Sequence, residues 1–226
     1  MATNTTNGVL VCSDGTNIPL KTVLAEGTQS DLKTDEVYCV SSMNVGDYAP
    51  GKTVTHALVS CDNGVGFCYI LSMGLVAAII PWSVKGAVSD GTPALCQPYT
   101  LKAGDIVRCM NNSAADREAA IACYTATGVS RIFRVTPTGG ATNELVDLQT
   151  GNSIGDTLQG QRFVKWFGTS VDGNKIETQG FFVVDALGNV IGSCSAGSPI
   201  VQQPSFQDAY GVNIALNYKA QYLTNA

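Results

Sequence analysis

Residues 154–173 read IGDTLQGQRFVKWFGTSVDG, and residues 45–64 read VGDYAPGKTVTHALVSCDNG. At a constant offset of 109, Gly46 falls on Gly155, Asp47 on Asp156, Gly51 on Gly160 and Gly64 on Gly173. Val54 meets Phe163, His56 meets Lys165 and Leu58 meets Phe167, so apolar and polar positions agree along with the glycines. The match resumes at an offset of 114, where FCYILSMGLV (67–76) lies over FFVVDALGNV (181–190). Five extra residues therefore fall in the second copy between the two blocks. Upstream the agreement thins, with Leu10 and Cys12 set over Ile121 and Cys123. A self-match at fixed spacing marks an internal repeat. The expected organisation is two tandem units, residues 1–112 and 113–226.

Each copy is punctuated every 8 to 15 residues by Gly, Asn, Asp or Pro, a spacing that suits short strands and not helices. The one helical signature is the Gly-Asp element itself. Ser153 is placed to cap a single turn, Asp156 lies three residues on, and Gly160 suits a left-handed stop. In the second copy VVDALGNVI (183–191) reads as a hairpin, with Asp185 opening the turn and Gly188 at the position of positive φ. Ile18 to Leu24 reads as a strand that Pro19 pushes to a sheet edge, and residues 25–35 read as loop. Residues 36–40 (EVYCV) read as an apolar β segment. At the C-terminus Tyr210, Val212, Ile214, Leu216, Tyr218 and Tyr222 alternate with polar residues, the pattern of one long strand. The fold class is all-β, two similar β-sandwich or small-barrel domains from a duplicated unit. Jelly-roll and immunoglobulin-like topologies both fit.

Charged residues make up only 14% of the chain and the net charge is −5. No Lys/Arg run supplies the clustered cations that phosphate neutralisation needs, so direct nucleic-acid binding is not expected. The opening MATNTTNG lacks the charged and apolar regions of a signal peptide. Eight cysteines are divided six to two between the copies. A bridge essential to a common fold would recur in both, so free thiols are the expectation. A Cys61–Cys68 cross-strand pair about the turn at 62–66 stays open as the exception.

Candidate chemistry is sparse. His56 is the single histidine, and Cys61 lies five residues from it. A thiol–imidazole pair there would need a third group to orient it. Asp47 and Asp156 recur, but no second acidic ligand recurs with them. Asp31, Asp35 and Glu36 could hold calcium or simply belong to a solvated loop. The GSCSAG run at 192–197 lacks the spacing of a nucleophile elbow. Trp82, Trp166 and Tyr210 could form a sugar platform or belong to the core. No catalytic residue, metal or cofactor is assigned.

Residues 65–82 carry no charge. Alone they resemble a membrane span, but their twin is a hairpin, so no membrane partner is expected. An apolar hairpin tip at Leu71, Met73 and Leu75, with Trp82 beside it, is expected to be covered, either by the protein itself or by another subunit. These four are the candidate oligomer contacts.

Low charge, richness in Thr, Asn and Gly, the absent signal peptide and hairpins such as 183–191 together resemble, at the level of a class, virion shell, decoration and tail proteins. The resemblance implies a self-assembling virion component found in the particle and assembled in host cytoplasm. Its partners would be copies of itself and other virion proteins. The alternative from the same composition is a cell-surface adhesin or carbohydrate-binding module, and an enzyme with an unrecognised site is a third reading.

Overall fold

A computed structural model describes residues 3–25, 29–34, 43–61, 65–80, 94–112, 119–135, 142–170, 180–197, 207–208 and 212–223. The chain is mostly β-strand in antiparallel sheets and divides into two compact units, Met1–Ala114 and Ala115–Ala226.

Unit 1 contains β1 (Thr3–Cys12), β2 (Asn17–Ala25), β3 (Gln29–Thr34), α1 (Val45–Tyr48), β4 (Thr53–Cys61), β5 (Val65–Ser72), β6 (Leu75–Ile80), β7 (Ala94–Thr100) and β8 (Ile106–Asn112). Unit 2 contains β9 (Ala119–Thr125), β10 (Ser130–Val135), β11 (Thr142–Asp147), α2 (Ile154–Leu158), β12 (Phe163–Ser170), β13 (Gly180–Val184), β14 (Val190–Gly197), β15 (Gln207–Asp208) and β16 (Lys219–Leu223). The strand order in unit 1 is β6-β5-β8-β3-β2-β1-β4-β7, and in unit 2 it is β14-β13-β16-β11-β10-β9-β12-β15. Adding eight to every label of the first order gives the second. In unit 2, β14 also pairs with β12 in parallel through Gly168–Ala196 and Thr169–Gly197, which curls the strip back on itself.

Backbone irregularities coincide as well. Cys12 pairs with Val54 and Val11 with His56, leaving Thr55 as a bulge; Thr125 pairs with Phe163 and Tyr124 with Lys165, leaving Val164 as a bulge. A second bulge falls at Ala77 in β6 and at Ile191 in β14. Each unit packs one core. Leu10, Leu20, Val45, Val54 and Leu101 lie in the first, and Cys123, Phe133, Ile154, Phe163 and Ile214 hold the matching positions in the second.

The register corrects several sequence expectations. Cys12 corresponds to Thr125, an offset of 113, so Leu10 and not Cys12 is the counterpart of Cys123. The five extra residues divide, since β5 and β13 correspond at an offset of 113 (Leu71 to Val184) and β6 and β14 at 114 (Val76 to Val190). One extra residue is therefore in the hairpin tip and four precede β13. Residues 29–34 form a strand with little apolar content, since β3 is held by backbone pairing to β2 through Lys33 and Thr34 and to β8 through residues 29–32. β2 is an interior strand, yet its pairing with β3 begins at Leu20, so Pro19 has a neighbour on one side only. The expected long C-terminal strand breaks at a turn, with Asn217 at φ +66° and β16 starting at Lys219. Backbone pairing sets Cys61 opposite Thr6 and Cys68 opposite Cys109, so Cys61 and Cys68 are not ladder partners. Residues 36–40 and Trp82 lie outside the described residues.

Candidate functional site

Strand pairing brings four segments together at one end of each unit. In unit 1, Leu71 pairs with Ile106, so the β5–β6 tip leaves the sheet beside the 101–105 loop. That loop exchanges backbone bonds with Gly51 and Lys52 (Gly51 N–H to Leu101 O, 2.8 Å; Leu101 N–H to Lys52 O, 2.9 Å), and Ser13 N–H donates to Thr53 O at 2.8 Å. The rim of unit 1 is therefore the 13–16 turn, α1 and its exit, the hairpin tip and the 101–105 loop. Unit 2 builds its rim with matching bonds: Gly160 N–H to Ile214 O (2.9 Å), Ile214 N–H to Gln161 O (2.9 Å) and Ala126 N–H to Arg162 O (2.8 Å).

The recurring Gly-Asp element locks each rim. Gly46 N–H donates to Asp105 O at 3.0 Å and Gly155 N–H to Tyr218 O at 3.0 Å. A Cβ on Gly46 would lie 2.0 Å from Lys102 O, and one on Gly155 would lie 2.6 Å from Tyr218 N. Glycine is therefore required by close backbone approach. The aspartates serve the same frame. Asp47 Oδ1 accepts Gly104 N–H at 2.8 Å, and Asp156 Oδ2 accepts the Ser153 hydroxyl at 2.9 Å while Ser153 Oγ caps Asp156 N–H. Gly51 and Gly160 stop their turns at φ +80° and +76°.

The remaining candidates for chemistry are placed as follows. His56 is half-buried and its Nδ1 lies 3.0 Å from the Thr55 hydroxyl. Cys123 is fully buried, and burial pushes its thiol well above the ordinary range, with Asp147 adding to the shift, so the thiolate form is disfavoured. Trp166 is buried and meets Phe163 edge to face, ring centroids 6.0 Å apart, so it is core. Tyr210 lies outside the described residues. No group of three or more His, Cys, Asp or Glu close enough to hold a metal occurs among the described residues. No helix among them is long and apolar enough to cross a membrane, and residues 65–80 form the β5–β6 hairpin.

The candidate contact residues separate. Leu71 is 7% exposed because it corresponds to buried Val184, one position before the tip. Met73 is 91% exposed and Leu75 is 55% exposed. The apolar tip is also not confined to unit 1: Leu187, the counterpart of Met73, is 87% exposed, and Val190 and Ile191 are exposed beside it. The offset of 114 sets Leu187 over Met73 correctly but places Asp185 over Leu71, whereas the register sets Val184 there. Leu216, in the loop equivalent to 101–105, is the remaining large apolar residue left open. Each of these exposed large hydrophobics sits on a rim.

The two tips reach that exposure differently. Met73 and Gly74 are the central residues of a two-residue hairpin, at φ +49° and +80°. Such a turn requires positive φ at both positions and favours Asn-Gly. A left-handed conformation costs a non-glycine residue roughly 1–2 kcal/mol. Unit 2 has one residue more. Asp185 Oδ1 accepts Leu187 N–H and Asn189 N–H, both at 2.8 Å, Oδ2 accepts Asn189 Nδ2 at 2.9 Å, and Gly188 takes φ +84°. These bonds, that from the Asn189 side chain first, hold the Asp185 carboxyl below the usual carboxylate range.

No family model, curated protein or solved structure matches the chain.

Proposed function

We propose that this chain is a self-assembling structural protein, a shell or decoration component of a virus particle, built from one β module that was doubled and then diverged. The observation that carries the reading is Met73, a large apolar residue at the apex of a turn where Asn or Gly would be unstrained, with apolar Leu187 at the same place in unit 2. Strain held at an exposed position calls for a function, and burial of the tip against another subunit supplies one. Low charge supports the same reading, since a surface of small uncharged polar groups resists self-contact weakly. The common strand order, the paired bulges and the two Gly-Asp locks support doubling.

Negative-stain microscopy and sedimentation of the purified protein test the function. Discrete oligomers or particles are expected from wild type, and Met73→Asp is expected to reduce them while each unit keeps its strand signature by circular dichroism. A wild-type chain that stays monomeric at all accessible concentrations contradicts the reading.

A further inference from the structure

We propose that Cys68 and Cys109 form a redox-sensitive clasp in unit 1, open as two thiols and closed as a cross-strand disulfide. The inference is independent of the self-assembly reading.

Backbone register carries it. β5 and β8 are antiparallel neighbours, and Cys68 stands directly opposite Cys109. Directly opposed residues of an antiparallel pair share a face of the sheet, with Cα atoms about 4.5–5.5 Å apart. A disulfide spans Cα separations of about 4.4–6.8 Å. The ladder therefore sets the two positions within bridging reach. Two places along it Ile70 faces Val107, and both are fully buried in the unit 1 core. Strand positions alternate between faces with a period of two, so Cys68 and Cys109 occupy the core face. Elsewhere among the described residues Cys12 faces Val54, Cys61 faces Thr6, Cys123 faces Arg131 and Cys194 faces Phe181. None of these four stands opposite another cysteine.

Unit 2 differs at both positions together. At the same register it sets Phe181 opposite Tyr222, an aromatic pair where unit 1 has a thiol pair. A single cysteine there would act as a small hydrophobe, whereas two opposed cysteines can also bond. Because unit 2 folds the same strand order without the pair, the bridge is an addition to the fold and not a condition of it.

A small-molecule disulfide such as glutathione disulfide closes the clasp. One cysteine thiolate attacks it, forming a mixed disulfide and releasing one glutathione thiolate. The second cysteine thiolate then attacks the protein-side sulfur, forming the Cys68–Cys109 bond and releasing the other glutathione. The protein loses two electrons and two protons, and both reach the released thiols. A reducing compartment keeps the clasp open. Cys109 lies 41 residues beyond Cys68, and the chain between them carries the β5–β6 tip and the 101–105 loop, two of the four segments of the unit 1 rim. Closing that loop restricts the unfolded chain, so oxidation stabilises unit 1 and leaves unit 2 as it was.

The test uses the full chain, purified with reductant and divided, one half then being oxidised with glutathione disulfide. Remaining thiols are alkylated, and the unreduced digest is mapped by mass spectrometry. A Cys68–Cys109 linked peptide is expected in the oxidised half alone. The unit 1 melting transition is expected to rise by roughly 10 °C on oxidation and to fall back with reductant. Cys68→Ser and Cys109→Ser should each abolish that rise, and Cys61→Ser should retain it. The mapping needs no variant, so it decides the matter even where a serine chain fails to fold. No linkage, a linkage of either cysteine to a different one, or a linked chain that melts as the reduced chain does overturns the inference. Neither readout depends on oligomeric state, so failure of the self-assembly reading does not touch it.

Discussion

Units 1 and 2 agree where backbone meets backbone and differ where side chains meet each other. Gly46 and Gly155 lie against loops with no room for a methyl group, and both units keep glycine. In the interior the substitutions are compensated in groups. Trp166 packs over Gly192, whose Cβ would lie 3.0 Å from the indole and 2.8 Å from Val212. The register puts Ala57, Ala78 and Tyr99 at those three places in unit 1. A large ring over glycine in one unit is exchanged for two alanines and a larger third residue in the other. Leu10 and Ile18 face each other across β1 and β2, where unit 2 has Cys123 and Arg131. Arg131 Nε lies 3.6 Å from Asp147 Oδ2, and Asp147 Oδ1 meanwhile accepts Gln149 N–H, Thr150 N–H and the Thr150 hydroxyl. The lesson is that the two units agree in their loop–backbone contacts and differ in core and rim in coupled sets.

The sharpest way to break this comparison is to put a methyl group where both units exclude it. Gly46→Ala and Gly155→Ala are each expected to destabilise their own unit by about 3 kcal/mol or more. Gly46→Ala should cost more, because its clash is with a carbonyl at 2.0 Å. Denaturant melts resolved by unit check this, and a tolerated alanine at either site contradicts the shared lock.

Next in size is the compensated core. Gly192→Ala alone is expected to cost about 1–3 kcal/mol by overpacking, and Trp166→Ala alone about 3–5 kcal/mol by leaving a cavity. The double variant reproduces the alanine pair of unit 1 and is expected to cost less than their sum by about 1 kcal/mol. Strict additivity in the double-mutant cycle would show that the two positions are not coupled.

A smaller effect separates the tips by pH. The folded-state pKa of Asp185 is depressed, so its support of the unit 2 tip is complete above the ordinary aspartate value of about 4. That support is lost as pH falls through the lower folded value. The Met73-Gly74 turn contains no titrating group. Amide exchange at Leu187 and Asn189, corrected for intrinsic rates, should therefore quicken in acid relative to the unit 1 tip. Equal response of both tips would contradict the assignment.

Much of the frame was legible because glycine at a forced close approach and aspartate at a capping position leave marks at fixed spacing. The Gly-Asp lock, the cap at Ser153 and the Gly188 turn could be read from such residues. β3 could not, since QSDLKT is held by main-chain pairing that leaves no apolar signature. The contact surface was half legible. The uncharged run at 65–82 pointed to the tip, but a one-residue difference in turn length placed Leu71 on the rim instead of in the core. Leu187 already stood over Met73 in the sequence match, but Asp185 and Asn189 on either side of it made the unit 2 tip read as polar. Leu216 was hidden by alternation that continues through a turn, because the break at Asn217 depends on a loop packing against distant Gly155.

The most direct test of assembly through the strained apolar tip of unit 1 is Met73→Gly, followed by thermal melting and by sedimentation velocity over a concentration series. Glycine relieves the positive φ, so the account expects unit 1 to gain roughly 0.5–1 kcal/mol of stability. The oligomers formed by wild type should meanwhile move to higher protein concentration or vanish. A variant that is no more stable than wild type and assembles equally well would contradict it.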